Sequence, residues 1–115
     1  MTDNNYNRFK CPCCNKNEID PRIAHLVQAF EVELLAPLTV TSGYRCKKHN
    51  LEQGGSKTSS HLKGLAVDLA CTTSRLRYNL IKMAIRLGIT RIGIGKNFLH
   101  LDIDRQKDPN VIWLY

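Results

Sequence analysis

From residue 20 onward the apolar positions recur at helical spacing. Ile23, Leu26, Val27, Phe30 and Leu34 form one stripe. Asp20 can cap this helix, Pro21 suits its first position, and Pro37 lies just past its end. His25 falls off the stripe and is expected at the surface or boundary. The period then shortens. Leu38-Thr39-Val40-Thr41 predicts a short strand, followed by a turn at Ser42-Gly43-Tyr44-Arg45. Residues 46–53 read as a short helical turn and 54–59 as a polar loop. Residues 65–70 predict a strand, with Ala66, Asp68 and Ala70 on one face. Thr73 or Ser74 can cap a second helix, with Leu76, Leu80, Ile81, Ala84 and Leu87 inward and Gly88 as terminator. Residues 89–95 and 98–103 predict a hairpin around Gly95-Lys96-Asn97. In its second strand Leu99, Leu101 and Ile103 face one way, and Phe98, His100 and Asp102 the other. Val111-Ile112-Trp113-Leu114-Tyr115 reads as a packed last segment. This order predicts an α+β fold, a small antiparallel sheet with flanking helices. Residues 1–115 are read as one domain, with 1–10 as a loose arm.

Composition narrows the classes. A chain that is 43% hydrophobic and 23% charged is globular, not disordered. No apolar run approaches the roughly 20 residues of a membrane span. The first eight residues lack an apolar signal core, so the protein is expected to be made in the cytoplasm without a signal peptide. A formal charge of +7 favours anionic partners, whether nucleic acid, anionic lipid or bacterial wall polymer. Little aromatic residue is interleaved with the basic stretches, so nucleic acid ranks last. The chain is read as a monomer.

Chemistry concentrates in Ser59-Ser60-His61-Leu62-Lys63-Gly64-Leu65-Ala66-Val67-Asp68. His61 and Asp68 are good zinc ligands, and His100 is a third. His49-Asn50 reads as structural. Five cysteines, an odd number, argue against an all-disulfide framework. Cys11, Cys13 and Cys14 are clustered and could share a second, structural zinc with Cys46, or all could be free thiols; C-x-C-C differs from the common C-x₂-C hairpin. Cys46 and Cys71 read more readily as packed small residues than as nucleophiles.

These segments resemble a known family. Ser59, His61, Gly64, Ala66 and Asp68 match the S-x-H-x-x-G-x-A-x-D motif of the M15 zinc peptidases, the D-alanyl-D-alanine carboxypeptidases, dipeptidases and L-alanyl-D-glutamate endopeptidases of peptidoglycan. Ser42-Gly43-Tyr44-Arg45, His49-Asn50 and Gly54-Gly55 are similar to its S-G-Y-R…H-N…G-G run. Gly93-Ile94-Gly95, Phe98-Leu99-His100-Leu101-Asp102 and Trp113 resemble its closing segments. The short form found in phage and bacterial wall-lytic proteins, endolysins included, is the nearest likeness.

The resemblance implies a fold like that of the hedgehog and D-Ala-D-Ala peptidase domains. It implies one catalytic zinc on His61, Asp68 and His100, with a fourth position open. It implies amide hydrolysis of wall stem peptides by zinc-activated water, with a carboxylate as general base. Arg45 would stabilise the oxyanion or hold substrate, and Ser59 and Tyr44 would contact it. The usual acid, three residues before the third ligand, is Asn97 here. Asp102 is therefore the expected base, or else a group that orients a ligand histidine. The alternative function is a non-catalytic zinc-containing binding module of the same fold.

Overall fold

The computed structural model describes residues 6–115. Helix α1 spans Pro21–Leu34, with the Asp20 carboxylate accepting from Arg22 N–H and Pro21 opening the helix. Strand β1 (Val40–Ser42) leads to a short helix, α2 (Lys47–Glu52). A 3₁₀ turn, Ser60–Lys63, then enters β2 (Ala66–Ala70). Helix α3 (Ser74–Arg86) is capped by Thr73, whose hydroxyl accepts from Leu76 N–H. Strands β3 (Arg91–Ile94), β4 (Phe98–Asp102) and β5 (Val111–Leu114) complete the chain.

The five strands form one sheet in the order β1-β2-β4-β3-β5. Every pairing is antiparallel except the last, where β5 runs parallel to β3. The fold is therefore α+β, but with a mixed sheet in place of the antiparallel one expected. The expectation stopped at the hairpin because a tail of five apolar and aromatic residues carries no signal of its pairing partner. Residues 103–110 cross the end of β3 and lay that tail on its far edge.

One face of the sheet carries Val67, Leu69, Leu99, Leu101 and Ile92, and its core partners include Ile23, Val27 and Phe30 of α1 and Leu80, Met83 and Ala84 of α3. Phe9 and Ile19 close this core. The loose arm expected over residues 1–10 is thus corrected from Tyr6 onward, while residues 1–5 lie outside the described residues. Phe9 is fully buried, and its carbonyl accepts from Tyr44 N–H at 2.8 Å. The Tyr6 hydroxyl donates to the Ile19 carbonyl. Polar neighbours of Phe9 hid one well-placed aromatic anchor.

Arg8 fastens the same segment to α1. Its guanidinium donates to both Glu31 carboxylate oxygens, at 2.8 and 2.7 Å, and Leu38 N–H adds a third bond. The Arg8 hydrogen bonds hold the Glu31 carboxyl below its usual pKa. A depressed carboxyl stabilises the fold above its unfolded pKa, and that stability is lost as pH falls through the folded value. Glu31→Gln is expected to cost roughly 1–2 kcal/mol at pH 7. The difference from the parent should close as pH falls below about 4, in urea titrations at a series of pH values.

Candidate metal centre

The polar face of the sheet carries a row of residues in register across all five strands. Ser42 pairs with Asp68, Asp68 with His100, His100 with Gly93, and Gly93 with Trp113. The strand period places Asp68 and His100 side by side on adjacent strands. His61 reaches the same point from the 3₁₀ turn. Ser59 caps that turn, accepting from His61 N–H at 3.2 Å, and Gly64 ends it with φ +71°. A side chain at Gly64 would stand 1.9 Å from the Glu18 carbonyl, so this position needs glycine for space as well as for conformation.

His61, Asp68 and His100 are all buried and their ligand atoms converge. Asp68 Oδ1 lies 2.8 Å from His100 Nδ1 and 3.3 Å from His61 Nε2. Donors sharing a tetrahedral ion at about 2.0–2.1 Å stand about 3.3 Å apart, which the His61–Asp68 separation equals, while the His100–Asp68 separation is that of a hydrogen bond and would widen by about 0.5 Å around an ion. The outer nitrogens are engaged as well. His61 Nδ1 donates to the Gly43 carbonyl at 2.7 Å, which leaves the Nε2 lone pair pointing inward. His100 Nε2 faces Asp102 Oδ2 at 2.8 Å. A ring with a carboxylate at each end favours a positive charge, supplied by a proton or by a metal ion. Burial opposes the His100 imidazolium, but hydrogen bonds to Asp102 and Asp68 outweigh it and raise its pKa. Burial likewise opposes ionised Asp68, yet His100 and His61 hold its carboxyl well below the usual range. The donor set therefore fits a divalent cation.

Arg45 closes one side. Its Nε donates to Ser42 Oγ at 2.8 Å, Nη1 to Asn50 Oδ1 at 3.3 Å, and Nη2 reaches Asp68 Oδ2 at 3.5 Å. These bonds aim the guanidinium at a cavity of about 560 Å³ that His61, Asp68 and His100 also line. Arg91, Lys107, Trp113 and Tyr115 form other walls, and Ser59 lies at its edge. Among the described residues, Asp68 is the cavity's one lining carboxylate.

Two expected site residues lie elsewhere. Tyr44 does not line the cavity; it is buried, and burial together with Glu18 pushes its phenol up to about 12. Its backbone N–H pairs with the Phe9 carbonyl. Asp102 sits behind His100 with 1% exposure. Its Oδ2 is taken by His100, and its Oδ1 accepts from Arg91 Nε at 2.8 Å and Asp104 N–H at 3.2 Å. The His100 imidazole stands between this carboxylate and Asp68, an arrangement that fits the orienting role. Asn97 is exposed in the β3–β4 turn.

A sequence profile described as Peptidase M15 matches residues 5–103. The chain belongs to the peptidase M15 family. Among curated proteins no sequence matches it. As an M15 member it falls among zinc-dependent metallopeptidases, and its His61, Asp68 and His100 cluster could hold the ion. No helix of the described residues is long and apolar enough to cross a membrane.

Arg91 and Asp104 lie outside the M15-like motif positions, and Asn50 within them has a further contact. Arg91 meets Asp102 across the hairpin, a register readable by counting outward from the Gly95-Lys96-Asn97 turn. Asn50, read as a loop-shaping residue, also holds Arg45. Asp104, buried at 2% exposure, accepts from Ser60 Oγ and Lys63 Nζ and so ties the His61 turn to the end of β4.

Proposed function

We propose that this M15 protein hydrolyses amide bonds in peptidoglycan stem peptides, as a D-Ala-D-Ala carboxypeptidase or an L-Ala-D-Glu endopeptidase. The observation that supports it most is the convergence of His61, Asp68 and His100, with both outer imidazole nitrogens already occupied. Zinc bound there supplies Lewis acidity, lowering the pKa of water and polarising a carbonyl. Arg45 then presents a fixed guanidinium to the carbonyl oxygen as charge develops, or to a substrate carboxylate. Arg91 and Lys107 add positive charge to the same cavity, which favours the carboxylate-rich stem peptide. Trp113 and Tyr115 offer an aromatic wall for its aliphatic parts. Ser59 keeps a hydroxyl proton to donate at the cavity edge. Asp102 serves as a positioning residue that fixes the His100 ring. The protein acts at the cell wall, as a monomer and as a phage-type lysin.

Arg45→Lys keeps the charge but loses the planar fork. It is expected to lower kcat/KM about 10²-fold with zinc content unchanged, measured by steady-state kinetics beside metal analysis.

The direct test is mass spectrometry of purified muropeptides incubated with zinc-loaded protein, beside a chelator-treated control. Zinc-dependent loss of alanine identifies a carboxypeptidase, and separation of L-alanine from D-glutamate an endopeptidase. A second reading, the non-catalytic zinc module, is favoured by one observation: no carboxylate other than Asp68 lines the cavity among the described residues. Zinc binding with unchanged muropeptides of every stem type would establish that reading instead.

A further inference from the structure

Two segments distant from each other in sequence bring four thiols together. Cys11, Cys13 and Cys14 come from the N-terminal turn, and Cys46 from the start of α2. All four Sγ atoms lie within 4.8 Å of one another. The Sγ–Sγ separations are 3.6 Å for Cys11–Cys13, 3.7 Å for Cys11–Cys46 and 3.2 Å for Cys13–Cys46. Four thiolates around one zinc at about 2.3 Å stand about 3.8 Å apart, so the cluster has nearly the dimensions of such a site.

The backbone is arranged for it. Cys11 N–H donates to the Lys16 carbonyl and Asn15 N–H to the Cys11 carbonyl, both at 2.8 Å, closing a tight turn. Asn15 takes the left-handed conformation that the turn requires, with φ 63°. Cys46 Sγ accepts from His49 N–H at 3.4 Å, which fixes the sulfur at the start of α2. Four sulfurs this close repel one another's ionisation, and a cation removes the conflict. Lys10, Lys16, Lys47 and Lys48 flank the cysteines in the chain and offset the charge of a tetrathiolate.

We propose that Cys11, Cys13, Cys14 and Cys46 bind a second zinc ion as a closed structural site. Its place in the fold gives it a purpose. The Cys46 segment follows directly on Gly43 and Arg45, which serve the His61 centre through the Gly43 carbonyl and the Arg45 guanidinium. Gly43 also packs against Phe9 so closely that a Cβ there would meet the Phe9 carbonyl at 2.5 Å. The second zinc therefore clamps the N-terminal turn onto the loop that carries these two groups. This assignment stands apart from the peptidase reading, because it is decided by metal content and ligand type.

The test counts zinc in the full chain purified from zinc-supplied medium and records the spectrum of the cobalt(II)-substituted protein. Two zinc ions per chain are expected, with a thiolate-to-cobalt charge-transfer band. Cys13→Ala/Cys14→Ala should lose one ion and the band. His61→Ala should lose the other ion and keep the band, and it decides the matter even if the cysteine variant fails to fold. A native chain with no thiolate band, whose one zinc is lost in His61→Ala, overturns the assignment. So does a disulfide among these cysteines in protein kept under reductant.

Discussion

Replacing His61 by alanine is expected to abolish zinc-dependent hydrolysis, with a fall of at least about 10³-fold in kcat/KM. The size follows from what the ion supplies. Polarising a carbonyl and lowering the pKa of water contribute several kcal/mol, and each 1.4 kcal/mol is about tenfold in rate. Removing one of three protein donors leaves Asp68 and His100, too few to hold zinc in a defined geometry. The substitution is also instructive structurally. His61 is buried, and its Nδ1 is the partner of the Gly43 carbonyl, so the variant leaves a cavity and an unpaired acceptor beside the Arg45 loop. Activity assays beside circular dichroism and metal analysis separate the two effects. A folded variant with less than one-thousandth of the activity and one fewer zinc is the expected result. A folded variant that retains activity would remove His61 from the centre.

Asp102→Asn separates two roles for one carboxylate. A general base typically contributes 10²–10⁴-fold to kcat and nothing to metal affinity. A partner of a ligand histidine instead contributes about 10–100-fold to metal affinity, and added zinc restores its loss. The structure favours the second: Asp102 binds the far nitrogen of His100 at 2.8 Å and is locked there by Arg91. Asp102→Asn is therefore expected to weaken zinc about 10–100-fold while kcat at saturating zinc stays within a few-fold of the parent. Zinc titrations with a competing chelator, run beside kinetics at high zinc, give both numbers. Unchanged affinity with kcat reduced 10²-fold or more would return the proton-accepting role to Asp102.

The strands and helices of the middle of the chain were legible because their apolar periods are clean. Ile23, Leu26, Val27 and Phe30 mark a helix face, and the alternation through Leu99 and Leu101 marks a strand. The three convergent residues were legible from the family motif, since a ligand's identity is written in its residue type. What the sequence withheld are relations between distant segments. Phe9 lies in a polar stretch, and its burial depends on a carbonyl bond to Tyr44 that local pattern does not encode. The parallel placement of β5 depends on residues 103–110 passing the end of β3. Asp102 was placed on the correct face, but its neighbour Arg91 turns it from a solvent-facing acid into a buried anchor. The fourth sulfur, at Cys46, meets the N-terminal turn next to the Phe9–Tyr44 backbone bond.

Whether His61, Asp68 and His100 form a metal centre can be tested without reference to substrate. The measurement is anomalous diffraction at the zinc absorption edge from crystals of the zinc-loaded protein. A peak is expected among His61 Nε2, Asp68 Oδ1 and His100 Nδ1, with His100 Nε2 still on Asp102. No peak among those three atoms in crystals grown with excess zinc would contradict a metal centre there.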